Sequence, residues 1–120
     1  MLAKRLRFHG HGSLRFLYKN ADAYRSRAFT VKTIENPRRK NPRISVVVSK
    51  KVHKAAVGRN RIRRRIYEII RHELPKFHGS QDIAIIVTNA EVITMPHEEL
   101  HDGLCLLLRQ ARVYGVADKE

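Results

Sequence analysis

A chain of 120 residues with 25 Lys and Arg against 11 Asp and Glu carries a net charge of +14, so it reads as one domain (1–120), long enough to bury a core without staples, whose self-repulsion is best compensated by a polyanionic partner. The single cysteine, Cys105, excludes an internal disulfide and a cysteine-based zinc site, and suits a reducing cytoplasm. The apolar windows 83–87 and 104–108 are too short to span a bilayer, and the basic residues 1–7 are not followed by an apolar run, so neither a membrane partner nor a signal peptide is expected.

Residues 1–12 are basic and carry His9, Gly10, His11 and Gly12, the composition of a flexible arm. Ser13 is placed to cap a short helix on which Leu14, Leu17, Tyr18 and Ala21 fall at i, i+3, i+4 and i+7. Residues 27–35 read as a strand with Phe29, Val31 and Thr33 on one side. The prolines and asparagines of 36–42 mark a turn. Residues 43–49 (RISVVVS) are β-branched and expected in the middle of a sheet. The longest helical stretch is 55–74, with Pro75 just past its end, and 76–81 is a loop. Residues 82–88 (DIAIIVT) form another buried strand. The last helix is expected over 96–114, with Pro96 in its first turn, Glu98 and Glu99 at its positive end and Arg109 and Arg112 at its negative end. Its apolar face is Leu100, Leu104, Leu107, Leu108 and Ala111, and 115–120 reads as a frayed tail. The expected fold class is α+β: a single sheet of about four strands packed with three helices, in the order helix-strand-strand-helix-strand-helix.

The segment Arg59-Asn60-Arg61-Ile62-Arg63-Arg64-Arg65 is the most informative. At 100° per residue Ile62, Ile66, Ile69 and Ile70 share one arc, which packs on the sheet. Asn60, Arg61, Arg64, Arg65 and Arg71 are assigned to the opposite side, and Arg59 and Arg63 flank the apolar arc. A solvated helix face ordinarily mixes Lys with Glu at i, i+4 spacing; here 59–65 holds five arginines and no acid. A membrane-binding helix is disfavoured because the core needs its apolar face. Arginine suits phosphate because its planar fork donates two parallel hydrogen bonds and stacks on bases. Unpaired N–H groups at the helix start add to the attraction, and Lys50 and Lys51 lie just upstream.

Ser49-Lys50-Lys51, a seven-residue spacer, and then Arg59-Asn60-Arg61-Ile62-Arg63-Arg64 resemble the signature of the protein subunit of bacterial ribonuclease P. The resemblance runs from about Arg5 to Arg112. It implies a subunit with no catalytic side chains of its own, whose RNA partner cleaves the 5′ leader from precursor tRNA with Mg²⁺ bound by that RNA. It implies RNA contacts by Lys50, Lys51, Arg59, Asn60, Arg61, Arg63 and Arg64, which Arg65 joins on the displayed face. It also implies a left-handed strand–helix–strand crossover, against the general rule, and a cleft between the N-terminal helix and the sheet that guides the single-stranded leader. Leu14 and Tyr18 stand at the cleft positions where the family carries phenylalanines, and Lys32 at that of a strand aromatic. Tyr67 stands where an arginine is common. The competing function is that of a structural RNA-binding protein, such as a small ribosomal protein.

His97-Glu98-Glu99-Leu100-His101 matches the H-E-x-x-H pattern of zinc proteases. A third ligand would come from Cys105, on the core side of the helix, or from Asp118 or Glu120 in the tail, so no metal site is assigned. Cys105 reads as a small core residue and Asp82 as a turn cap.

Overall fold

A computed structural model describes residues 19, 21–35, 42–77 and 81–111. The N-terminal arm, the helix expected from Ser13 apart from Lys19 and Ala21, residues 36–41 of the expected turn, 78–80 of the expected loop, and 112–120, with Arg112 and the tail, lie outside them. The described elements are β1 (Asp22–Arg25), β2 (Phe29–Glu35), β3 (Arg43–Val47), α1 (Ala56–Glu73), β4 (Gln81–Val87) and α2 (His97–Gln110). Short 3-10 turns, Leu74–Lys76 and Ala90–Ile93, follow α1 and β4.

The sheet has the order β1-β2-β4-β3, with β1/β2 and β2/β4 antiparallel and β3/β4 parallel. Strand β1 was not read in the sequence. Its four residues, DAYR, contain one strong strand former. They are held by pairing with β2, whose approach is set by Ser26: its N–H donates to the Phe29 carbonyl at 2.8 Å, and its Oγ accepts from the Phe29 N–H at 3.3 Å.

The expectation that the RISVVVS strand lies mid-sheet is corrected, because β3 is an edge and β4 is central. β3 is nevertheless apolar because α1 packs on it: Ile44 and Val46 are buried in one core with Ile62, Ile66, Ile69 and Ile70. An edge strand has N–H groups without a strand partner, and the buried Tyr67 hydroxyl accepts from the Val46 N–H at 3.2 Å. This gives Tyr67 a role in the fold.

Alternation along the strands sets one face of the sheet against the helices. Val31 pairs with Ile85, and Ile85 with Val46, all in the core with Leu100, Leu104, Leu107 and Leu108 of α2. The leucine face expected for α2 is thus buried in full, Ala111 included. Pro96 lies just before α2, as its N-cap, with Glu98 and Glu99 in the first turn and Arg109 in the last. The opposite face of the sheet carries smaller residues, with Ala84 buried against Ala21 and Ile34. Among the described residues no helix is long and apolar enough to cross a membrane.

Candidate nucleic-acid interface

The site is built where β3 ends and α1 begins. The Ser49 carbonyl accepts from the N–H groups of Val52 at 3.1 Å and His53 at 3.3 Å, which bends the chain and leaves Lys50 and Lys51 exposed. His53 Nδ1 then accepts from the Ala55 N–H at 3.2 Å. Its ring lies over the buried Gly58, where a Cβ would come within 2.1 to 2.5 Å of three ring atoms. Arg59 holds the same loop from the helix side, its Nη1 donating to the carbonyls of His53 at 3.0 Å and Lys54 at 2.8 Å. A glycine one residue before the arginine run was the available signal for this packing, and sequence reading passed over it.

Helix α1 begins with Ala55 extended at its N-cap, no capping side-chain hydrogen bond and no acidic residue in its first turn. Ala55, Ala56 and Val57 are exposed beside Lys54. The positive dipole end and its N–H donors therefore sit within a cationic surface, a combination that favours phosphate. Further along, Asn60, Arg61 and Arg64 are exposed, as the helical wheel predicts. Arg63 is half-buried, and its Nη1 donates to Asn60 Oδ1 at 2.8 Å.

Arg65 departs from the expected display. Its side chain is half-buried and turns toward the segment before α2, where Nη1 donates to the Val92 carbonyl at 2.6 Å and Nη2 to the Met95 carbonyl. The reason is angular: Arg65 lies three residues after Ile62 and four before Ile69, so it borders the apolar arc. Arg71 is exposed but paired with Glu68 at 2.6 Å, and His72 Nε2 lies 3.2 Å from the same carboxylate. The Arg71 hydrogen bond holds the Glu68 carboxyl below its ordinary range, with desolvation opposing it and His72 adding a smaller pull. Among the described residues, the cationic surface of α1 without an acidic partner therefore belongs to its first half.

Of the expected cleft residues, Leu14 and Tyr18 lie outside the described residues. Lys32 stands on the sheet face opposite the helices, in register with Ala23 on β1 and Ala84 on β4. Asp82 forms a two-point ion pair with its register partner Arg43, at 2.9 and 2.8 Å, a partner that its reading as a turn cap did not include. That hydrogen bond raises the Arg43 pKa, against an opposing effect of burial. Cys105 is buried but is more than core filling, because its Sγ lies 3.6 Å from His101 Nε2 and 3.7 Å from Glu73 Oε1. Glu98 and Glu99 of the H-E-x-x-H pattern are exposed.

Comparison with known proteins agrees with this arrangement. Residues 2–112 match the family described as Ribonuclease P. A "Ribonuclease P protein component" of Chloroflexus aurantiacus is 40% identical over 79 residues, which cover 66% of this chain and 58% of that protein, so the match spans little more than half of that relative's length. One from Pseudanabaena sp. is 36% identical over 98 residues, covering 81% of this chain and 83% of the relative. Among solved structures, the Staphylococcus aureus RNase P protein superposes with a TM-score of 0.82 at 26% identity, covering 92% of this chain and 98% of that one. The RNase P protein of Thermotoga maritima shares the fold, with a TM-score of 0.73 at 22% identity over 86% of this chain and 96% of that one. Matched over nearly its whole length, and carrying the S-K-K bend and the R-N-R helix, the chain belongs to the ribonuclease P protein family.

Proposed function

We propose that this chain is the protein component of a ribonuclease P ribonucleoprotein, acting in tRNA 5′ maturation in the cytoplasm. The observation that carries the proposal is the surface joining Lys50, Lys51 and Lys54 to the exposed face of Asn60, Arg61 and Arg64, in a chain of that family. In this reading α1 grips the phosphates of a catalytic RNA subunit, and Arg59 and Arg63 contribute whichever guanidinium nitrogens their local bonds leave over. Catalysis belongs to the RNA. The Mg²⁺ that such hydrolysis uses is a ligand of the RNA, since a cationic protein surface repels it.

The sheet face around Lys32 is the proposed path of the precursor-tRNA 5′ leader, completed by Leu14 and Tyr18 from an N-terminal helix. Lys32 lies on that face in register with Ala23 and Ala84, and Tyr18 offers a ring on which an unpaired base stacks. The crossover from β3 through α1 to β4 is taken to be left-handed, as in the family. Addition of the purified chain to a ribonuclease P RNA at low Mg²⁺ should restore cleavage of precursor tRNA at the mature 5′ end. RNA binding without restored cleavage would overturn the proposal and leave a structural RNA-binding protein.

A further inference from the structure

We propose that Glu73, His101 and Cys105 form a binding site for a zinc-class divalent ion that staples the end of α1 to α2. Glu73 is the last residue of α1, and His101 and Cys105 lie one turn apart on α2. One donor atom from each falls within 4.8 Å of the others. Cys105 Sγ is 3.6 Å from His101 Nε2 and 3.7 Å from Glu73 Oε1, and His101 Nε2 is 3.7 Å from Glu73 Oε2.

Glu73 thus meets its neighbours with different oxygens, Oε1 toward Cys105 and Oε2 toward His101. Zinc bonds of about 2.3 Å to sulfur, about 2.0 Å to imidazole nitrogen and about 2.1 Å to carboxylate oxygen place tetrahedral ligands roughly 3.4–3.6 Å apart. The cysteine–histidine edge matches that spacing, and a carboxylate that binds through both oxygens, or turns to present one of them, brings Glu73 in as the third ligand. The surrounding groups fit as well. Asp102 Oδ1 lies 3.3 Å from His101 Nδ1, the contact that keeps the proton on Nδ1 and turns Nε2 toward a metal. His97 is one further turn back on α2, its ring centre 6.2 Å from that of His101, so an imidazole or a water completes the set. Lys76 Nζ sits 3.6 Å from Glu73 Oε2 and is the cation a metal must replace; its side chain is 56% exposed and moves into water freely.

The donor chemistry selects the ion. A thiolate and an imidazole favour Zn²⁺ or Co²⁺ over Mg²⁺ or Ca²⁺. On binding, the Cys105 S–H loses its proton to solvent as the sulfur–metal bond forms. Two negative ligands and a neutral imidazole then balance the ion's two positive charges. With Glu73 and Cys105 buried and Glu98 and Glu99 turned to solvent, the site is structural and the protease pattern is incidental. One cysteine thus excludes a disulfide but not a mixed-donor metal site.

The chelator-treated full chain should be titrated with Co²⁺ alone and read by absorption. A thiolate-to-metal charge-transfer band, rising to one equivalent per chain, persisting in excess Mg²⁺ and displaced by Zn²⁺, is expected. Cys105→Ser should abolish the band, and His101→Ala should weaken Co²⁺ binding at least about tenfold. Zn²⁺ should raise the melting temperature of the parent chain and not that of His101→Ala. The His101 side chain is 39% exposed, so its replacement tests the site even if Cys105→Ser fails to fold. Absence of the band in the parent chain, or unchanged Co²⁺ affinity in His101→Ala, overturns the proposal.

Discussion

Arg64 and Arg65 are neighbours in sequence with opposite surroundings, and replacing each by alanine separates binding from stability. Arg64 is exposed, whereas Arg65 donates to the carbonyls of Val92 and Met95 and ties α1 to the turn before α2. A hydrogen bond from a charged donor contributes about 1.5–3 kcal/mol, and two from one guanidinium add less than fully. Loss of both, with Val92 itself fully buried, should cost Arg65→Ala roughly 2–4 kcal/mol. At about 4 °C per kcal/mol for a chain of this size, the melting temperature falls by roughly 8–16 °C. Arg64→Ala should stay within about 0.5 kcal/mol of the parent and lose RNA affinity by roughly 1–3 kcal/mol. Arg65→Lys keeps the charge but not the fork, so it should recover only part of the stability. Calorimetry and filter binding on the three variants decide the matter. If Arg65→Ala melted with the parent and Arg64→Ala melted early, the assignment of the two side chains would be wrong.

Gly58→Ala should drive the His53 ring off the helix and break its contact with the Ala55 N–H, lowering RNA affinity through the displaced Lys50–Lys51 bend; His53→Ala should remove most of the incompatibility, seen as non-additivity in a double-mutant cycle. Tyr67→Phe keeps the ring but strips the Val46 N–H of its hydroxyl acceptor, so stability should drop by about 1–3 kcal/mol in a urea titration with RNA affinity unchanged. The Glu68 carboxyl, held low by Arg71, contributes stability that is present above its unfolded pKa and lost as pH falls through the folded value; a carboxyl-detected NMR titration should show its midpoint rising toward the ordinary range in Arg71→Ala.

The sequence was most legible where one periodicity governed burial. The isoleucine arc of α1 and the leucine face of α2 are buried as their spacing requires, and the DIAIIV strand is buried as its unbroken apolar run suggests. Edges were harder. Strand β1 exists through its partner rather than its own propensity, and β3 reads as central because a helix covers it. Within the site, Arg61 and Arg64 lie opposite the apolar arc and were legible, whereas Arg65 borders it and its direction depends on carbonyls nearly thirty residues away. The Arg43–Asp82 pair depends likewise on parallel register between distant strands, and the meeting of Glu73 with Cys105 on the packing of two helices. Pairings of that range have no local signature.

The salt dependence of binding to a ribonuclease P RNA tests the central claim, that an exposed cationic surface on α1 holds phosphates. Lys50, Lys51, Lys54, Arg61 and Arg64 neutralising roughly five phosphates should give log affinity against log salt a slope of about −3.5 to −4.5. Arg64→Ala should make that slope shallower by about 0.7–0.9. A slope near zero, or an unaltered slope in Arg64→Ala, would contradict the account.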